Sequence, residues 1–568
     1  MRQFDNIKKL LRQDAGIEKL MEEIKSLEGQ FTYGLVWDEE HPENYEDFDK
    51  SKSSGQYPIL ESEKGDIPAQ PQRPTHILIQ GDNYHALSVF QYTHRENQQV
   101  DLIFIDPPYN TGEQFLYNDK IVNEDDPYRH TKWLSFMKKR LLRAKDLLTD
   151  TGVIMICIND KEVAQLKILL DTHIFKEGCW QGTLTWINRT KPINSGKAKY
   201  GIQQNVEYIL VYSKTPKSNH PGFLLPKGEK REYPTVYKGR TCRTDAIEDS
   251  DFGRKARDTM KFPILGVYPK KGKRWKIGQT TANDLIKSNR LALFDGAPKQ
   301  IIYPEDEPGN SGYVPVPFYS HLINTGTAED GKRTLDLLIG KGHGFDTVKP
   351  VDLIVQLLEF FPKNIRVLDF FAGSGTTLQA VEQANTTDKG TRQCILVTNN
   401  DGGIYEKVCK PRIKAVLKNS TTGDGLKLYR TGFISKKISN DQLKREMAKI
   451  CHEMACLREG VFASNLTKKA DKEGGPDGKW HYSWDEEKVC ATFFRPHESE
   501  ALLTLKTELD SLTRNGKRKG IVYAFSYKTD EVDPHTVKLL KGYTCIAIPD
   551  QILHLYKKCY PEIWKQEE

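Results

Sequence analysis

The stretch Asp101-Leu102-Ile103-Phe104-Ile105-Asp106-Pro107-Pro108-Tyr109-Asn110-Thr111-Gly112 constrains the fold more than any other in the chain. Its unbroken apolar run has the length of a strand buried on both faces, as inside a parallel sheet. Two successive prolines then fix φ and remove two backbone donors, so the strand must stop there. An acid, rigid carbonyls and Tyr109 are left at the carboxyl edge, where open α/β sheets bind ligands. Comparable short runs occur at His76–Ile79, Gly152–Ile158, Val206–Tyr212, Ile365–Phe370 and Gln393–Thr398. Helical patterns such as Trp133–Leu148 and Asp352–Phe361 lie between several of them. This alternation predicts an α/β sheet with parallel pairs.

The 568 residues divide by pattern. Residues 1–30 carry Ile7, Leu10, Leu11, Ile17, Leu20, Met21, Ile24 and Leu27 at helical spacing, which suits either a partner contact or a helix packed on its own domain. Residues 31–75 are polar with five prolines and read as a connector. The α/β rhythm fills 76–212 and 341–424. Between them, 213–340 is rich in Gly, Pro and basic residues and reads as an inserted domain. The tail, 425–568, opens on a helical pattern (Asn440–Leu457) and carries strand candidates at Val489–Phe494, Gly520–Ser526 and Tyr543–Ile548, a small C-terminal α/β domain. Hydrophobic content of 38% excludes wholesale disorder, and no apolar run reaches membrane-spanning length. The first residues lack a secretory core, and ten cysteines without a Cys-x-x-Cys pair speak against a disulfide framework or zinc ribbon. A cytoplasmic multidomain protein is expected.

The formal charge of +7 is unevenly placed. Residues 221–300 hold 18 Lys/Arg against 9 Asp/Glu, an excess larger than that of the whole chain. Arg254, Lys255 and Arg257, then Lys270, Lys271, Lys273, Arg274 and Lys276, are interleaved with Phe262, Tyr268 and Trp275. Such a segment suits a polyanion, because each neutralised phosphate releases a counterion. An ordinary solvated face has the same composition, so charge alone decides nothing.

Asp106 and the prolines suggest a specific chemistry. The lone pair of a planar aromatic amine is delocalised into its ring, making it a poor nucleophile. The Asp106 carboxylate and the Pro107 carbonyl could accept both amine hydrogens and favour a more pyramidal nitrogen, with Tyr109 stacked on the ring. A second stretch, Val367-Leu368-Asp369-Phe370-Phe371-Ala372-Gly373-Ser374-Gly375-Thr376-Thr377, leads a strand through a glycine turn into a helix, where backbone can approach a nucleotide-like ligand closely. Gly326–Lys332 has phosphate-loop spacing, but Arg333 replaces the magnesium-binding hydroxyl and no strand leads in.

Together, the Asp-Pro-Pro-Tyr motif and the glycine turn resemble the amino-group DNA methyltransferases. The catalytic motif precedes the glycine motif, the order of that family's β class, in which the target-recognition domain lies between the two. The basic insertion falls in that gap. Leu78–Leu87, Asn110-Thr111-Gly112, Val206–Tyr212, Phe345–Pro350 and Ile395–Asn400 further resemble the modification subunits of type III restriction systems. The resemblance implies a circularly permuted, Rossmann-like S-adenosylmethionine-dependent fold and methyl transfer to adenine N6 in double-stranded DNA. Asp106, Pro107, Pro108 and Tyr109 would be catalytic. Phe371, Ala372, Gly373, Ser374, Gly375 and Thr376 would wrap the methionine part of the cofactor, with Asp106 alongside. Asp369 would orient that loop or bind the amino group, Lys349 would anchor the carboxylate, and Asp82 would approach the adenine moiety.

The ribose contact stays unassigned, because the strand ends Thr398-Asn399-Asn400 where relatives carry an acid. The target base must leave the duplex to reach Asp106, at a cost of a few kcal/mol. Arg189 and Lys191, with Lys197 and Lys199, suggest a basic loop near it. Arg254, Lys255, Arg257, Lys273 and Arg274 are the other DNA-binding candidates. No metal is expected, and Cys451, His452 and Cys456 read as packed helix residues. A homodimer and a helicase–nuclease restriction subunit are the implied partners. The alternatives are cytosine N4 in DNA, adenine in RNA, or a catalytically silent DNA-specificity subunit.

Overall fold

A computed structural model describes residues 58–93, 99–110, 129–192, 200–220, 222–225, 231–252, 257–306, 316–317, 319–433, 451–462, 471–474, 480–493, 498–513, 518–524 and 532–547. The expected N-terminal helix, most of the connector, Thr111, Gly112, Gly196, Lys197, Lys199, Arg254, Lys255 and the first part of Asn440–Leu457 lie outside the described residues. The chain forms two compact units, one of residues 1–222 and 319–568, the other of Phe223–Phe318.

A ten-stranded sheet dominates the first unit. Its strands in chain order are β1 (Pro58–Ser62), β2 (Thr75–Gln80), β3 (Val100–Ile105), β4 (Leu148–Ile158), β5 (Trp180–Ile187), β6 (Val206–Ser213), β7 (His321–Leu322), β8 (Arg366–Asp369), β9 (Gln393–Thr398) and β10 (Gly425–Phe433). Their spatial order is β1-β10-β2-β9-β8-β3-β4-β6-β5-β7. The block from β10 through β4 is parallel throughout. Leu102, Ile103, Phe104, Val367, Leu368, Ile395 and Leu396 are all buried, which accounts for the continuous apolar runs of the central strands. Val367 pairs with Leu102 and Leu368 with Ile103, so three residues further on Asp106 and Phe371 leave the same edge side by side.

Helices cover the sheet: α1 (Asn83–Thr93), α2 (Arg129–Leu147), α3 (Val163–Leu169), α4 (Ala328–Ile339), α5 (Val351–Leu358), α6 (Thr376–Asp388) and α7 (Lys410–Asn419). Helix α5 buries Val351, Leu353, Ile354, Leu357 and Leu358 on one face. No helix among the described residues is long and apolar enough to cross a membrane.

Several segments differ from the sequence reading. Pro58–Ser62, read as connector, pairs antiparallel with β10 at the sheet edge. Gly425–Phe433, assigned to the tail, lies parallel to β2. Pro58–Ser62 is a short edge strand, and Gly425–Phe433, next to it, carries Lys427, Arg430 and Thr431 among its buried Leu426, Leu428 and Tyr429, which breaks the apolar pattern. Within 213–340 the compact unit is only Phe223–Phe318, so β7 and α4 belong to the first unit. The segment Gly326–Lys332 is a helix cap: Thr327 accepts from the Asp330 backbone while Asp330 accepts from Thr327.

The second unit contains an antiparallel sheet of Leu291–Phe294, Ala297–Ile302, Arg240–Ala246 and Thr235–Tyr237. It also has a helix, Gln279–Lys287, over a small core of Ile247, Ile264, Trp275, Ala282 and Leu291. Near the C terminus, strands Asp471–Gly474, Trp480–Trp484, Lys488–Phe493, Lys519–Ala524 and Thr544–Ala547 form a five-stranded sheet. Residues 451–459 are helical, and Cys451, Met454, Ile521 and Tyr523 share the core cluster of the main sheet.

Gly331 in α4 illustrates how packing overrides propensity. A Cβ there would sit 2.3 Å from the Val348 carbonyl oxygen, so the helix and the 348–349 backbone touch only because residue 331 is glycine. Alanine gains about 1 kcal/mol of helix propensity, but forcing the backbones apart costs roughly 1–3 kcal/mol or more. Gly331→Ala is therefore expected to lower the denaturation midpoint. A raised midpoint would show that this contact yields freely.

Candidate functional site

The site is built where β3 and β8 end. Beyond β3, Trp133 of α2 donates from Nε1 to the Pro108 carbonyl at 2.7 Å and holds the proline turn in place. Asn110 then takes a left-handed backbone (φ 54°) and donates to Glu162, which also bonds His130. This fixes Asp106 and Tyr109 against β6. The Tyr109 hydroxyl lies 2.6 Å from Asp106 Oδ1 and 2.9 Å from Glu207 Oε2. Lys349, delivered by the segment packed on Gly331, places Nζ 2.8 Å from Asp106 Oδ2, 2.9 Å from the Tyr109 oxygen and 3.1 Å from Glu207 Oε2. Asn188, just past β5, donates to Glu207 Oε1 at 2.9 Å.

These contacts set the protonation states. Burial opposes the Lys349 charge, but the carboxylates of Asp106 and Glu207 outweigh it and lift its pKa above the ordinary lysine value. Burial likewise opposes ionised Glu207, yet Lys349 and the donors Asn188 and Tyr109 hold its pKa below the usual range. Burial and the two acids push the Tyr109 hydroxyl well above its ordinary value, so it stays a neutral phenol. The cluster thus sets the one ammonium of Lys349 between the two acids Asp106 and Glu207.

The glycine turn lies on the adjacent strand end. Asp369 is buried, accepting from the Phe371 backbone at 3.0 Å and from Thr377 Oγ1 at 2.5 Å. Gly373 and Gly375 both take left-handed φ, 49° and 81°, a geometry that side chains disfavour. From α7, the buried Arg412 donates to Ser374 Oγ at 2.9 Å and Thr376 Oγ1 at 2.8 Å. Asn83 donates to the Phe370 carbonyl at 2.7 Å and accepts from buried Arg140 at 2.6 Å, tying the end of β2 to the turn. Thr398, at the end of β9, has a buried hydroxyl without a hydrogen-bond partner among the described residues. Left-handed glycines, a buried acid, an unsatisfied hydroxyl and a cluster of two acids around one ammonium make an edge suited to a polar cationic ligand.

The predicted residues thus fall into groups. Asp106, Pro107, Pro108, Tyr109 and Lys349 cluster at one strand end, with Asp369 and the Phe371–Thr376 turn on the next. Lys349, expected at a cofactor carboxylate, pairs with Asp106 and Glu207. Asp82 caps α1 through the Tyr84 backbone at 2.7 Å and faces Arg140 at 3.5 Å. Arg189 and Lys191 are exposed just past β5. In the second unit Arg257 and Lys273 are exposed, whereas Arg274 is partly buried against Asp249 at 3.1 Å. The sequence reading missed Glu207, Asn188, Arg140 and Arg412. A glutamate inside the apolar run Val206–Tyr212 was the available signal for Glu207.

His76, Glu382 and Asp424 form a buried trio with metal-ligand spacing. The Cys394 backbone donates to His76 Nδ1 at 3.0 Å, which leaves the ring proton on Nε2, facing Glu382 at 3.2 Å and Asp424 at 3.4 Å. The nitrogen that would meet a cation carries the proton, so the trio is a hydrogen-bonded node.

Residues 100–391 match the family profile described as DNA methylase, and the chain belongs to that family. It is 31% identical over 366 residues to the Mod subunit of the type III restriction-modification enzyme StyLTI of Salmonella typhimurium, covering 58% of this chain and 53% of that one. With the type II methyltransferase M.KpnI of Klebsiella pneumoniae it shares 32% identity over 348 residues, covering 56% and 79%. With the EcoPI Mod subunit of Escherichia phage P1 it shares 30% over 418 residues, covering 61% and 62%. The chain therefore spans somewhat more than half the length of these two Mod subunits.

Burial raises the Asp369 pKa to about 7, against the opposing pull of Thr377 and the Phe371 backbone. Because the folded value exceeds the unfolded one, the folded state holds this proton more tightly. The contribution is present below about pH 4 and is lost as pH rises through about 7. Asp369→Asn cannot ionise, so its melting temperature relative to the wild type should climb between about pH 4 and pH 7 and level off above. A flat difference across that window would place the ionisation elsewhere.

Proposed function

We propose that the chain is a site-specific DNA methyltransferase that modifies adenine N6 from S-adenosylmethionine, as the modification subunit of a type III-like restriction system. One observation carries the reading: Asp106 and the glycine turn leave neighbouring parallel strands in register, so one donor and one acceptor molecule can meet between them. The β order, with the catalytic motif first in sequence, and the second unit as the target-recognition domain belong to the same proposal. So do a homodimer and a helicase–nuclease partner, for which the similarity to Mod subunits is the support.

When bound, S-adenosylmethionine would supply an electrophilic methyl on a sulfonium. The turn Phe371–Thr376, ordered by Asp369 and Arg412, would hold its methionine part. The Thr398 hydroxyl is available to its sugar, and the surplus negative charge at Asp106 and Glu207 suits its cation. The adenine must be extruded from the stack, at a few kcal/mol. The Asp106 carboxylate and the Pro107 carbonyl would then accept the two N6 hydrogens. Each oxygen of an ionised carboxylate has two acceptor sites, so Asp106 can take an amine hydrogen while keeping Lys349 and Tyr109. Positioning and fixed acceptors supply the catalysis.

Asp106→Ala is expected to reduce methyl transfer by about a thousandfold or more while leaving cofactor affinity within a few-fold, measured by labelled-methyl transfer and calorimetry. An equal loss of cofactor affinity would mean that the acceptor has been misplaced. Reversing the exposed charges Lys271 and Lys273 should lower the slope of DNA affinity against salt by about one per residue. An unchanged slope would move the recognition surface away from this segment.

A further inference from the structure

Methyl transfer leaves a proton to dispose of. As the nitrogen–carbon bond forms, the carbon–sulfur bond breaks with its electron pair left on sulfur. The exocyclic nitrogen, now holding four bonds, recovers its lone pair by releasing one hydrogen as a proton. Asp106 is the acceptor in reach. If the proton stayed there, the carboxylate charge would vanish and Lys349 would lose a partner inside a buried pocket, a costly state.

The structure offers a way out. A single hydroxyl, that of Tyr109, lies between two carboxylates, 2.6 Å from Asp106 and 2.9 Å from Glu207. The Asp106 side chain keeps 27% of its surface exposed and that of Glu207 15%; an adenine seated on Asp106 would cover the first, which leaves Glu207, held by Asn188 and Lys349, as the outlet to solvent.

We propose that Asp106, Tyr109 and Glu207 form a proton relay that carries the N6 proton out of the site; the proposal rests on the adenine reading above. The N6 proton passes to Asp106. Asp106 then hands a proton to the Tyr109 oxygen while the hydroxyl's own proton moves to Glu207. Asp106 ends as a carboxylate, Tyr109 as a neutral phenol, and Glu207 carries the proton until water removes it. No phenolate forms, in keeping with a hydroxyl so hard to ionise.

Lys349 ahead of α5 touches all three members and holds Glu207 ionised between turnovers. The other groups near the relay are Cys157 on β4, Asn188 past β5 and Asp369 at the end of β8. Burial keeps Cys157 a thiol, and Asp369 adds an inflection near 7 common to every variant. Asp106 touches the substrate and is catalytic, whereas Glu207 acts through Tyr109 and is a positioning residue.

The test is single-turnover transfer from labelled S-adenosylmethionine to unmethylated genomic DNA by the full chain, across pH and in light and heavy water. Wild type, Glu207→Gln, Glu207→Asp and Tyr109→Phe are compared. The relay predicts that Glu207→Gln is roughly tenfold or more slower near neutral pH and recovers as pH rises. It should lose the wild-type solvent isotope effect, with cofactor and DNA affinities changed by less than about twofold, and Glu207→Asp should restore part of the rate. Tyr109→Phe should behave like Glu207→Gln, and the Glu207 pair answers the question by itself if the phenylalanine variant is misfolded. An unchanged Glu207→Gln rate, or a slowing that is flat in pH with the isotope effect intact, would overturn the relay alone. Absence of N6-methyladenine from the wild-type reaction would overturn the adenine reading and the relay together.

Discussion

The parallel pairing of β3 with β8 is the constraint on which everything else rests. Both strands are buried on both faces, so neither can slip by one residue without turning its whole apolar set. Their register places the first residues beyond each strand next to one another at the carboxyl edge. One strand end stops because two prolines withdraw backbone donors, and the other turns because two glycines accept left-handed φ. Residues far apart in the chain thereby meet within one pocket.

The charges in that pocket are coupled. Lys349 would lose its charge to burial were Asp106 and Glu207 not beside it, and Glu207 would gain a proton were Lys349 absent. Removing one member leaves an uncompensated buried charge, which is far costlier than the loss of a surface pair. The supporting shell is polar as well: Arg412 behind the glycine turn, Arg140 through Asn83, and Trp133 on the proline carbonyl.

How much of this was legible depended on where each element sits. The central strands announced themselves, because burial on both faces demands an unbroken apolar run. Strands at or next to the ends of the sheet did not: Pro58–Ser62 is short and half polar, and Trp180–Ile187 contains a glycine and is buried only at Leu184 and Trp186. Glu207 was hidden for a related reason. In sequence it resembles an outward position of a half-exposed strand, and only the pairing of β6 between β4 and β5 turns it toward Asp106.

By itself the sequence determined the α/β class, the two motifs, their order along the chain and the acid that stands at the end of the buried strand. These follow from local rules: the period of apolar burial, the missing donors of proline and the backbone freedom of glycine. Only the tertiary structure decided that the Lys349 ammonium lies against Asp106 and Glu207 and that one hydroxyl joins two carboxylates. Those facts depend on distances between residues from different strands and loops. Such distances are fixed by the packing of the sheet and its helices, and no spacing along the chain encodes them.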